Sequence, residues 1–163
     1  MDIIKVTSQT ITRPNDTTAY ASGDLIANNT TAGSVTPFAF NVGFSRGLKV
    51  HKVALTKSTT TSANTTLRFH LYTDSPTCSN GDNGAWLTTL AGWEGCFDLV
   101  GTGQTFSASH TCVGIYTNNS LAQPFFMVSD IDGYVYGLLE ARAAYAPGAQ
   151  ETFYVTLYGE AYS

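Results

Sequence analysis

The sequence predicts an all-β protein: an antiparallel β-sandwich, jelly-roll-like, with long polar loops and at most one short helix. Three observations carry that prediction. Nine Tyr, nine Phe and many Thr stand against a charged fraction of only 12%, a composition that fits pleated, half-buried surfaces. The apolar residues recur in short runs of period two rather than along a helical stripe. Those runs are cut at frequent intervals by Thr, Asn, Ser and Gly, with no amphipathic stretch of about 10–12 residues between them.

The elements follow in order. Residues 1–11 read as an N-terminal strand or arm, with Ile4 and Val6 on one face and Lys5 and Thr7 on the other. Pro14 fixes its own φ and pushes Arg13 towards an extended conformation. Gly23-Asp24 supplies a turn into Leu25-Ile26, and Asn28 to Ser34 is a polar loop. Phe38, Phe40 and Val42 alternate with Ala39 and Asn41 as a half-buried strand. In Gly47 to Thr56, Leu48 and Val50 share one parity and Val53 and Leu55 the other, which predicts a β-bulge near His51-Lys52. After a Ser/Thr-rich connection, Leu67, Phe69 and Leu71 alternate cleanly with Arg68, His70 and Tyr72.

Thr73 to Gly95 is the longest irregular stretch, broken by Pro76, Gly81 and Gly84. Trp86, Leu87 and Leu90 have helical spacing and place the one short helix there. Short strands are expected at Phe97 to Val100, Val113 to Tyr116 and Pro124 to Val128, then a turn at Asp130-Ile131-Asp132-Gly133. Tyr134 to Leu139 and Phe153 to Tyr158 complete the set. The runs 67–72, 134–139 and 153–158 are the longest and most apolar, and they are expected side by side at the centre of one sheet. No repeat recurs at a fixed period, which argues against a solenoid or propeller, and 163 residues fit a single domain spanning 1–163. A chain of that length buries roughly two-thirds of its unfolded surface, enough for a core without disulfides or metal.

Bulk charge narrows the function. The net charge is −4, and Lys49, Lys52 and Lys57 form the only basic concentration. Nucleic-acid binding needs a clustered basic face, so that class is set aside. No apolar run approaches the roughly 20 residues of a membrane helix. Met1 to Lys5 lacks the n- and h-regions of a secretory leader, which predicts folding in the cytoplasm. Cys78, Cys96 and Cys112 are then expected as free thiols, although Cys78 and Cys96 bracket one loop and have the option of pairing. On the same reasoning, the Asn-x-Ser/Thr triplets at Asn15, Asn28, Asn29, Asn64 and Asn118 are chance occurrences in a Thr/Asn-rich chain.

Each motif that suggests chemistry has a plainer explanation. Gly43-Phe44-Ser45-Arg46-Gly47 matches a nucleophile elbow, and Asp98 and His110 follow in workable order. That motif requires a strand turning into a helix, whereas the residues after it alternate as a strand. His110 and Cys112 place two soft ligands on one strand face, but structural zinc sites carry paired ligands on both halves. Asp130 to Gly133 resembles the start of a calcium loop, yet position twelve is Ala141, not Glu. A turn between strands accounts for it. No catalytic, cofactor-binding or metal-binding residue is therefore expected, and the protein is read as a non-enzyme.

The residues Thr12-Arg13-Pro14-Asn15-Asp16-Thr17-Thr18-Ala19-Tyr20-Ala21-Ser22-Gly23-Asp24 resemble the opening motif of small virion proteins of tailed bacteriophages and prophages. Leu67 to Tyr72 with Ser75-Pro76, and Tyr136 to Pro147 leading into Phe153 to Leu157, extend the resemblance in order. Thr73 to Gly95, with Trp86, Trp93 and two cysteines, departs from the simpler loop of that family. The resemblance implies a head decoration (cement) protein and a homo-oligomer, with a trimer as one arrangement. It would bind and stabilise the major capsid protein lattice, on the capsid surface after assembly in the host cytoplasm. The alternative is a carbohydrate- or receptor-binding module of a tail or fibre, with Trp86 and Trp93 stacking on sugars. Arg13, Tyr20, Trp86 and Trp93 are the candidate interface residues. Tyr20 is expected as a plug for the crossing segment and Arg13 as the partner of a carboxylate.

Overall fold

The alternating runs become strands of two antiparallel sheets packed face to face. The computed structural model describes residues 4–43, 47–59, 66–100, 105–107, 110–117 and 125–162. The strands are β1 (Ile4–Thr12), β2 (Leu25–Ile26), β3 (Phe38–Asn41), β4 (Gly47–Lys57), β5 (Thr66–Tyr72) and β6 (Trp93–Val100), followed by β7 (Thr105–Ser107), β8 (His110–Thr117), β9 (Phe125–Val128), β10 (Tyr134–Ala141) and β11 (Thr152–Tyr162). One sheet runs β1-β11-β4-β8-β7, with β9 also on β4; the other runs β2-β10-β5-β6, with β3 also on β10. The chain crosses between the sheets several times, from β4 to β5, from β6 to β7, from β9 to β10 and from β10 to β11, as in an antiparallel sandwich.

Inward-facing residues of both sheets form one core. Leu48, Val50, Val53 and Leu55 of β4 and Phe153, Val155 and Leu157 of β11 meet Leu67, Phe69 and Leu71 of β5 and Val135 and Leu139 of β10. Each fully buried side chain of this kind contributes roughly 1.5–3 kcal/mol. Phe69 lies edge-on to Phe38 at 5.6 Å and to Phe40 at 6.2 Å. Gly137 makes room for it: a Cβ there would stand 2.1 Å from Phe69 Cζ.

The phase change in β4 is the expected bulge. Tyr158 pairs with Lys52 and Gly159 with Val50, so His51 is the extra residue. Its neighbour across the pair must be glycine, because a Cβ on Gly159 would lie 2.4 Å from the Lys49 carbonyl oxygen.

Two expectations need correction, and one strand is new. The runs 67–72 and 134–139 do pair as β5 and β10, but 153–158 belongs to β11 in the opposite sheet. Alternation marks an inward face, and in a sandwich both sheets present the same one. The helix at Trp86 to Leu90 does not form; the only helical turn among the described residues is a 3₁₀ turn at Ala32–Ser34. The 86–90 backbone bonds to other segments instead, with Trp86 N–H donating to Gly23 O and Ser79 N–H to Leu87 O. Strand β7, three residues long, was not anticipated.

Candidate functional site

The opening motif is where the sequence concentrates its unusual residues, and the structure turns them inward. Pro14 stops β1, and the chain crosses the end of the sandwich with Arg13 only 2% exposed and Tyr20 1% exposed. Arg13 Nε donates to the Tyr20 hydroxyl at 2.8 Å, and Nη2 donates to Asp82 Oδ2 at 3.0 Å and Asp16 Oδ1 at 3.1 Å. Nη1 donates to the Asp16 carbonyl at 2.5 Å and the Gly148 carbonyl at 3.3 Å. The Tyr20 hydroxyl donates to Asp82 Oδ1 at 2.6 Å, which also accepts the Ala27 N–H at 2.8 Å. Arg13 therefore pairs with carboxylates within its own chain, as expected, and one of them reaches in from the long loop.

The electrostatics follow from that packing. Burial opposes the Arg13 charge, but the Tyr20 bond and the Asp82 and Asp16 carboxylates outweigh it and hold the pKa above its ordinary value. Burial, then Asp82, raises the Tyr20 phenol. Burial also raises Asp82, partly offset by the donors from Ala27, Tyr20 and Arg13. Asp16 goes the other way: desolvation is overcome by the Thr18 N–H and by Arg13.

Beside this cluster lies a second buried pair. Tyr145 stacks on Tyr20 at 5.1 Å, and Lys57 Nζ sits 5.7 Å above the Tyr145 ring. Lys57 Nζ is also 2.8 Å from Glu151 Oε1, which the Thr59 hydroxyl contacts as well. The Arg13 N–H donates to the Glu151 carbonyl, joining the two clusters. With every donor of Arg13 placed on protein acceptors, this end of the molecule is a tie between segments rather than a pocket.

Trp86 and Trp93 come together elsewhere, over the outer face of the smaller sheet. Residues 73–92 fold back onto that face, and His70 of β5 is their anchor. Trp86 stacks on the imidazole at 4.1 Å, and Trp93 Nε1 donates to His70 Nδ1 at 3.2 Å. An indole nitrogen only donates, so Nδ1 is unprotonated and Nε2–H donates to Glu140 Oε2 at 2.9 Å. Burial holds the His70 pKa below its usual value despite Glu140. Arg142 Nη1 completes the row at 2.8 Å from Glu140 Oε1, and Arg68 binds Asp98 through two bonds of 2.6 and 3.0 Å. Trp86 is half-buried against Tyr72, Cys78 and Leu138, while Trp93 remains 41% exposed. Cys78 and Cys96 are free, and burial pushes the Cys78 thiol up to about 11.

A third region was not anticipated. A groove of about 480 Å³ is lined by Thr73, Asp74, Glu94, Val128, Ser129 and Asp130, among others. It lies between β6 and β9, each paired along only one side among the described residues. Of the large apolar side chains left exposed among the described residues, Val128 (59%) lines it and Ile131 (82%) lies in the turn just after Asp130, while Leu87 (58%) and Leu90 (77%) belong to the loop before β6.

The remaining motifs resolve simply. Asp130 caps its own turn, accepting the N–H groups of Asp132 and Tyr134 through Oδ1 and the Tyr136 hydroxyl at 2.5 Å through Oδ2. Ser45 and the side chains of His110 and Cys112 fall outside the described residues. No group of three His, Cys, Asp or Glu positioned for a metal occurs among the described residues. Sequence reasoning missed Asp82, His70, Lys57 and Glu151; an ionisable residue inside a strand or between glycines was the available signal, and it was read as strand pattern or turn chemistry. No protein-family model matches the chain, and the search of curated proteins returned no match.

Proposed function

We propose that this protein is a non-enzymatic structural component of a tailed-phage virion, a decoration protein that binds and stabilises the major capsid protein lattice as a homo-oligomer. The observation that carries the proposal is a set of exposed large apolar side chains, with Val128 lining an open groove and Ile131 in the turn beside it, on an otherwise internally tied body. A protein that binds a lattice must keep its shape while presenting an adhesive patch, and apolar anchors within a polar rim are what specific interfaces use. Repetition over a lattice adds avidity, so each contact can be modest. The ordered resemblance of Thr12 to Asp24, Leu67 to Tyr72, Tyr136 to Pro147 and Phe153 to Leu157 to the family pattern supports the same reading.

Purified protein mixed with expanded heads lacking their decoration protein should co-sediment with them and raise the temperature at which they release DNA. Absence of co-sedimentation at micromolar protein over a range of salt would overturn the proposal. A glycan-binding role gains less support, because the indole N–H of Trp93 and one face of Trp86 are already engaged by His70.

A further inference from the structure

The charge of this chain is unevenly compensated. Asp16 and Asp82 pair with Arg13, Asp98 with Arg68, Glu140 with Arg142, Glu151 with Lys57 and Glu160 with Lys49. Among the described residues, the acidic side chains without an ion pair are Asp24, Asp74, Glu94, Asp130 and Asp132. All but Asp24 line the groove between β6 and β9 or belong to the turn at its rim. Asp74 and Glu94 are exposed and make no side-chain hydrogen bond, and none of the described lining residues is basic.

The groove therefore combines three properties. Among the described residues its flanking strands are paired along one side only, leaving backbone edges that an extended chain can pair with. Val128 in its wall and Ile131 in the adjoining turn supply apolar contact. The uncompensated carboxylates supply a negative potential between them. An open edge bordered by exposed apolar residues is ordinarily covered or interrupted, because an unprotected edge invites unwanted pairing.

We infer that this groove receives an extended segment of a partner protein in which apolar residues alternate with lysine or arginine. Apolar side chains of that segment would rest on Val128 and Ile131, and the basic ones, on the opposite face, would reach Asp74 and Glu94. The source of the segment rests on the decoration reading, in which the lattice protein supplies it; the chemistry of the groove does not.

The test uses two synthetic peptides with blocked ends, one alternating valine with lysine and arginine, the other with glutamate in place of each basic residue. Titrated into full-length, isotope-labelled protein, the basic peptide should shift amides of residues 93–95 and 127–131 saturably, and bind at least tenfold more tightly than the acidic one. Asp74→Lys combined with Glu94→Lys, both at exposed positions, should reverse that order. Equal binding of both peptides, saturation elsewhere, or no saturation by either would overturn the inference. So would a dimer in sedimentation that the double variant abolishes, since the occupant would then be a second copy. The double variant should also lose co-sedimentation with heads. If it sediments as wild type does, the inference fails and the decoration role stands. If wild type never sediments but the peptide preference holds, the decoration role fails and the groove's specificity stands.

Discussion

The two buried ion pairs at one end of the sandwich, Arg13–Asp82 and Lys57–Glu151, are neighbours with very different surroundings. Arg13 follows β1 and Lys57 ends β4, and both pairs have side chains with no exposure at all. Around Arg13 the hydrogen bonds are complete: Asp82 accepts from Tyr20 and Ala27 as well as from the guanidinium. Around Lys57 they are not, because Glu151 Oε2 and the Tyr145 hydroxyl are buried without partners. A buried ion pair offsets its desolvation only when the geometry is good and the remaining lone pairs are satisfied. The first pair should therefore hold the fold together, while the second should be replaceable.

The largest expected effect is at Asp82. Asp82→Ala leaves a buried guanidinium, a tyrosine hydroxyl and an N–H without their acceptor, and should cost about 3–5 kcal/mol in urea unfolding. A loss below about 1 kcal/mol would remove the contrast between the pairs. Next comes replacement of a whole pair. Lys57→Met with Glu151→Leu should be neutral or stabilising by about 1–4 kcal/mol in the same assay, as for other buried pairs exchanged for apolar residues of similar volume. Arg13→Met with Asp82→Leu should be clearly destabilising, since Tyr20 and Ala27 lose their acceptor too. Equal outcomes for the two double variants would break the comparison.

The two stacked tyrosines isolate the same difference in one atom. Tyr20→Phe removes a donor from Asp82 and should cost about 1–3 kcal/mol. Tyr145→Phe removes a hydroxyl that already lacks a partner, so the unfolding midpoint should stay or rise slightly. If both variants lose the same amount, the Tyr145 hydroxyl has an acceptor after all.

Much of the fold was legible in the sequence, for a physical reason. Period-two runs such as Leu67, Phe69, Leu71 and the phase slip at His51 are local consequences of the pleat, and local patterns are written in adjacent residues. Which sheet a strand joins is not local, and so β11 was misplaced. Within the candidate surface, Trp86 and Trp93 were found because aromatic residues in a polar loop stand out, but their anchor, His70, looked like one more strand residue. Arg13 announced its need for a partner by its position after a strand and before Pro14. Asp82, sixty-nine positions away, read as part of a Gly-Asp-Asn-Gly turn. Val128 and Ile131 sit in apolar strand and turn contexts, and nothing in the sequence marks them as exposed.

The smallest effect concerns a third pair, His70–Glu140, which shares the completeness of Arg13–Asp82 but titrates in a convenient range. Its imidazole is held neutral: Nδ1 must accept from Trp93, so a second proton would break that bond. Burial lowers the folded-state pKa below the ordinary 6.5. The sign follows from proton uptake. Above the unfolded pKa both states are neutral and the contribution is fully present. As pH falls below about 6.5 the unfolded chain takes up its proton first, so stability is lost until the folded state also protonates. Thermal midpoints should therefore fall modestly between pH 7 and pH 5, a window above the ordinary range of carboxylates. Trp93 emission should change over the same interval as its hydrogen bond opens. His70→Gln, which retains polar atoms near both Trp93 and Glu140, should flatten that slope. A slope unchanged in His70→Gln would assign it to another group and leave Arg13–Asp82 as the one fully satisfied pair of consequence.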